Sequence, residues 1–86
     1  MRRSRGKTLR KTERFALCLD NSEYPVSLQQ WKIYRVLPDT EAARHSQLRV
    51  IDESGEDYLF EAACFEILEL PAKVRRLYRT DLARRR

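Results

Sequence analysis

Two cysteines, Cys18 and Cys64, and a single histidine, His45, are the side chains best suited to covalent chemistry in these 86 residues. A thiol activated by an imidazole would be a nucleophile. Both cysteines, however, sit inside apolar stretches, and neither is accompanied by a loop of backbone donors that could hold an oxyanion. They read as buried, reduced thiols, with His45 exposed in a polar loop. One disulfide could join them, but nothing points to secretion: Arg2 and Arg3 precede no apolar leader, since Phe15–Leu19 is interrupted at Asp20. Two Cys and one His also fall short of the four ligands of a closed zinc site. A second constellation is acidic, Asp52-Glu53-Ser54-Gly55-Glu56-Asp57. Its spacing lacks the alternating oxygens of a calcium loop, and a solvated turn offers no apolar pocket to raise a carboxyl pKa. The sequence therefore predicts no metal, no cofactor, no catalytic residue and no small-molecule substrate.

Binding chemistry is better represented. Residues 1–14 hold seven Lys/Arg against Glu13 alone, residues 71–86 hold seven against Asp81 alone, and residues 15–70 hold four against eleven acidic residues. Two ends of +6 thus flank a middle of −7, within a net charge of +5. Basic blocks at termini commonly meet polyanions. Arg2, Arg3, Arg5, Lys7, Arg10 and Lys11 at one end, with Arg75, Arg76 and Arg79 at the other, are the candidate nucleic-acid-binding residues. Such cations bind phosphates through counterion release without reading sequence, and the planar guanidinium suits phosphate. Three alternatives stay open: the ends bind an acidic protein, fold back on the acidic middle, or serve only solubility. Aromatic residues supply a second candidate. Tyr24, Trp31 and Tyr34 could line a shallow groove that anchors a protein partner, or could fill the core like ordinary aromatics. Trp31, between Gln29-Gln30 and Lys32, is expected to be partly exposed.

The elements that must position these residues are short. Residues 1–14 have no periodic apolar face and are expected to be disordered. Phe15–Asp20 alternates with few polar residues, as a strand buried on both sides does. Asn21–Pro25 is a turn-rich loop. Lys32–Leu37 is a strand stopped by Pro38, which has no N–H to donate. Asp39 or Thr40 can cap a short helical turn reaching Arg44. Leu48–Asp52 and Asp57–Glu61 form a hairpin, with Gly55 at a positive φ. Ala62–Phe65 suits a 3₁₀ turn, Glu66–Leu70 a last strand, and Pro71 the start of a helix. In that helix Val74, Leu77, Tyr78 and Leu82 form one stripe, expected to lie on the sheet and so to be unavailable to a membrane surface. No stretch approaches the roughly 20 apolar residues of a membrane helix, so a cytoplasmic protein is expected.

Five short strands with a 3₁₀ turn before the last predict a mainly β fold, a small SH3-like barrel over residues 15–70 with a helix at 71–86. Phe15–Pro71 further resembles a widespread group of small bacterial and phage proteins without assigned function. Cys18-Leu19-Asp20-Asn21, Lys32–Asp39 and Val50–Leu59 carry the resemblance, with Phe65 and Leu70-Pro71. It implies an SH3-like barrel and no catalytic residues. The chain departs from the group at Gln30-Trp31, where the group usually has Gly just before Lys32. The proline-peptide signature of eukaryotic SH3 domains is absent: no Ala-Leu-Tyr-Asp-Tyr motif follows the first strand, and there is no tandem Trp.

Overall fold

Alternation of apolar side chains builds the sheet. In the computed structural model, which describes residues 14–84 (side chains to residue 78), β1 spans Arg14–Cys18, β2 Ile33–Leu37, β3 Gln47–Ile51, β4 Asp57–Glu61 and β5 Phe65–Leu68. All pairings are antiparallel and the strand order is β4-β3-β2-β1-β5. Every second residue points to one face. Ala16 and Cys18 of β1, Tyr34 and Val36 of β2, Val50 of β3, Phe60 of β4 and Phe65 of β5 form the buried cluster there, joined by Leu28 from the long β1–β2 loop. Phe15 points to the opposite face and is equally buried, so β1 is covered on both sides as its composition predicts.

Turn chemistry accounts for the connections. The helix α1, Thr40–Arg44, is capped by Asp39, whose carboxylate accepts the Ala42 N–H at 2.9 Å. The same carboxylate takes the Arg49 Nε–H at 2.7 Å, and Arg49 Nη1 reaches Asp57 at 3.0 Å. One guanidinium on β3 thereby ties the cap of α1 to the start of β4. In the hairpin between β3 and β4, Gly55 adopts φ 87, a conformation glycine enters without a Cβ clash. Asp52 is 7% exposed rather than solvated, because it accepts from both the Ser54 N–H and hydroxyl. Its carboxylate is thereby a structural part of the turn.

The expected closed barrel is not formed. A 3₁₀ turn at Ala62–Cys64 carries the chain from β4, one edge of the sheet, to β5, the other. The turn consumes backbone groups that a ladder would need: the Phe65 N–H bonds Ala62 O. Side chains meet there instead, with the rings of Phe60 and Phe65 6.2 Å apart. The sheet is therefore curled but open.

The C-terminal helix α2 spans Ala72–Arg84, one residue after Pro71. Tyr78 stands edge-on to Phe15 at 5.1 Å, which seats α2 on the face away from the main cluster. Only part of the predicted stripe is used, since Val74 remains 43% and Leu77 58% exposed. The expectation that the whole stripe lies on the sheet is corrected accordingly. Among the described residues no helix is long and apolar enough to cross a membrane.

Two ion-paired carboxyls make the fold acid-sensitive. Asp39 is held below the usual carboxylate range, first by the Ala42 N–H and then by Arg49. Glu53 is held down first by Lys32 and then by the Tyr34 hydroxyl. Each binds its proton more weakly folded than unfolded, so its stabilisation is complete above the ordinary carboxyl pKa of about 4 and disappears as pH falls through the lower folded value. Thermal melts should show Tm falling between about pH 5 and pH 2, with a shallower fall in Glu53→Gln. A Tm indifferent to pH in that window would show that these pairs contribute nothing.

Candidate functional site

At the C-terminal end of β1 the backbone is pinned on both sides. Toward β2, the Cys18 N–H donates to Lys32 O at 2.9 Å and the Trp31 N–H donates to Cys18 O at 2.7 Å. The Gln30 side-chain amide adds a bond to Leu19 O at 2.8 Å. Toward β5, the Leu19 N–H donates to Cys64 O at 2.8 Å. Within this frame Trp31 is held at φ 71, in the left-handed region that costs an L-residue with a Cβ about 1–2 kcal/mol. Its ring is nevertheless largely in solvent, with the residue 65% exposed. A large aromatic at a glycine-favouring conformation, facing water, contributes little to stability.

The three aromatics of the predicted groove do not form one. Trp31 is exposed as expected. Tyr24 is half-buried and packs edge-on against Phe60 at 4.9 Å. Tyr34 is 4% exposed and belongs to the core. Its hydroxyl accepts the Gln29 N–H at 2.8 Å and donates to Glu53, while the Lys32 ammonium lies 5.5 Å from its ring centroid. Burial pushes the Tyr34 pKa up, and the bond to Glu53 adds to that rise. Tyr34 thus braces the loop that displays Trp31 and is closed to a ligand.

A shallow depression lies on the β5 side of the same backbone, lined by Asp20, Ser22, Glu23, Glu61, Ala63 and Cys64. Three carboxylates surround it, and nothing in the spacing of residues 20, 23 and 61 signals that they meet. Asp20 accepts the Ser22 N–H at 2.9 Å, which holds its carboxyl below the usual range. Burial raises the thiol pKa of both Cys18 and Cys64, so each stays protonated near neutrality. Cys18 is fully buried, whereas His45 is exposed and contacts Glu41 at 3.3 Å. The thiol and the imidazole are not brought together. Among the described residues no three His, Cys, Asp or Glu side chains converge as metal ligands.

The basic candidates divide by what the structure describes. Arg75 is half-buried and Arg76 exposed on the first turns of α2, beside exposed Lys73. Arg2, Arg3, Arg5, Lys7, Arg10 and Lys11 lie outside the described residues, as do the side chain of Arg79 and the expectation of N-terminal disorder. Lys32 pairs with Glu53 at 2.7 Å, Arg44 with Glu41 at 3.3 Å, and Arg49 with Asp39 and Asp57. Compared with protein-family models, curated proteins and solved structures, the chain shows no match.

Proposed function

We propose that this chain is a non-enzymatic binding module of the cytoplasm, SH3-like in architecture, that holds RNA or DNA without sequence preference through its basic ends. The observation that carries the reading is the distribution of charge along the chain. Within residues 15–70 four basic residues face eleven acidic ones, whereas residues 71–86 carry seven basic residues against Asp81 alone. With residues 1–14, this leaves basic charge concentrated at the two ends of an acidic body. The SH3-like part is supported by the four-strand meander, by β5 returning beside β1, and by the 3₁₀ turn between β4 and β5. Binding to a duplex should weaken with salt by about 0.9 log units per log unit of salt for each phosphate neutralised. Anisotropy with labelled duplexes of two unrelated sequences should give equal affinities and the same slope. Replacing Arg2, Arg3 and Arg5 with Ser should lower both affinity and slope; an unchanged slope would remove the basic end from the interface.

A second reading, a protein-interaction adaptor, is favoured by Trp31. Its exposure on a pinned backbone at φ 71 is what an interface anchor requires, since anchors are enriched in Trp and are presented ready-made.

A further inference from the structure

We infer that the Trp31 end of the sheet docks a cationic segment, a peptide stretch presenting Arg or Lys side chains, with the exposed indole as its anchor. The inference rests on the adaptor reading and names what the partner must present. It begins from the indole itself, the residue whose conformation and exposure stability does not explain. The backbone beneath it is fixed by the Trp31–Cys18, Gln30–Leu19 and Cys18–Lys32 bonds, so a partner meets a surface that needs little ordering.

Charge decides which partner. Lys32, the nearest cation in sequence, is occupied by Glu53 at 2.7 Å. Trp31 bonds Cys18 O from one side of the end of β1, the next residues, Leu19 and Asp20, bond Cys64 O on the other, and the carboxylates of Asp20, Glu23 and Glu61 line the depression there. The backbones of Trp31 and Cys64 flank the two sides of one strand, so they stand about 10 Å apart. Two or three residues of an extended peptide span that distance. A guanidinium can lie flat on the indole face, drawn by the negative ring quadrupole, while a following cation meets the carboxylates. A single-stranded nucleic acid could also stack on Trp31, but its phosphates would then lie beside carboxylates on a body of −7. Base stacking at this end is opposed by that repulsion, and a cationic peptide is drawn by it.

The test uses the full chain and a fluorescein-labelled peptide of alternating Arg and Ser, with a Glu-for-Arg peptide as control, read by anisotropy. Three variants separate the contributions. Trp31→Gly removes the indole at a backbone conformation glycine prefers, so it folds and should raise Tm slightly. Trp31→Phe keeps an aromatic face. Asp20→Asn with Glu61→Gln removes two negative charges. Binding of the Arg peptide should weaken about 5- to 30-fold in Trp31→Gly, as expected for a cation–π contact of roughly 1–2 kcal/mol. It should be largely kept in Trp31→Phe, and weaken with a smaller salt dependence in the carboxylate variant. The Glu peptide should not bind at this end. Equal affinity of the Arg peptide for wild type and Trp31→Gly would overturn the inference. If an uncharged apolar peptide binds through Trp31 and the Arg peptide does not, the cationic assignment fails while the adaptor reading stands. If Trp31→Gly changes no peptide's affinity, both fail.

Discussion

Replacing Phe60 with Ala is expected to leave the protein without a cooperative unfolding transition at room temperature. Phe60 is 4% exposed and touches Tyr24 from the β1–β2 loop and Phe65 from the opposite edge strand. It is the ring that closes by packing what the sheet does not close by hydrogen bonds. Truncating a buried Phe costs about 3–5 kcal/mol, since the lost transfer energy is joined by that of the cavity. The two edge-to-face pairs deepen the loss, because such geometry adds about 0.5–1.5 kcal/mol per pair beyond burial. A domain of this size has a total stability of only about 5 kcal/mol, so the remainder is close to zero. Far-UV circular dichroism against urea should show a broad, non-sigmoidal change in Phe60→Ala and a sigmoidal one in Phe60→Leu. A two-state transition in Phe60→Ala within about 1 kcal/mol of wild type would show that the edges are closed by something else.

Leu28→Ala is expected to cost nearly as much, about 2–4 kcal/mol, and to act on a different part of the molecule. Leu28 is fully buried, although it belongs to a loop. A turn places it there: its N–H bonds Tyr24 O at 3.0 Å, and Asn21 Nδ2 bonds its carbonyl at 2.9 Å. It plugs the core from above while Gln29, next in sequence, donates to Tyr34. Removing the plug should loosen residues 19–32 before the sheet, and with them the platform of Trp31. Hydrogen exchange should show lost protection at Trp31 and Leu28 amides while the β3–β4 hairpin stays protected. Uniform loss across the sheet would show instead that the loop and the sheet unfold as one unit.

Val26 shows why such a residue escapes a reading of the sequence. Val26 and Leu28 are both aliphatic, two positions apart in a polar loop, yet Val26 is 90% exposed and Leu28 not at all. Periodicity cannot separate them, because their placement comes from one non-repetitive turn. Elements governed by local rules were legible: Pro38 ending β2, a cap for α1 at Asp39 or Thr40 (it is Asp39), Gly55 in the hairpin, Pro71 preceding α2. Trp31 was legible as exposed from its polar neighbours, but its φ of 71 was not. Tyr34 was not, since a strand residue's face depends on which side of the sheet becomes the core. The meeting of Asp20 and Glu23 with Glu61, and the open rather than closed sheet, both depend on how the two edges are joined. That is a long-range outcome with no local signature.

The pairing of β1 with β5 sets a constraint on biosynthesis. β1 is laid down first, yet one of its two hydrogen-bonding neighbours ends at Leu68. Translation must therefore run through fifty further residues after Cys18 before that strand is flanked on both sides. At about 5–20 residues per second, β1 waits several seconds with the N–H and C=O groups of one edge unpaired. During that interval β2 can pair with it, and the hairpin of β3 and β4 can form on its own. A nascent chain stalled before Phe65 would leave β1 as an exposed edge, a strand rich in apolar side chains and the natural target of a chaperone.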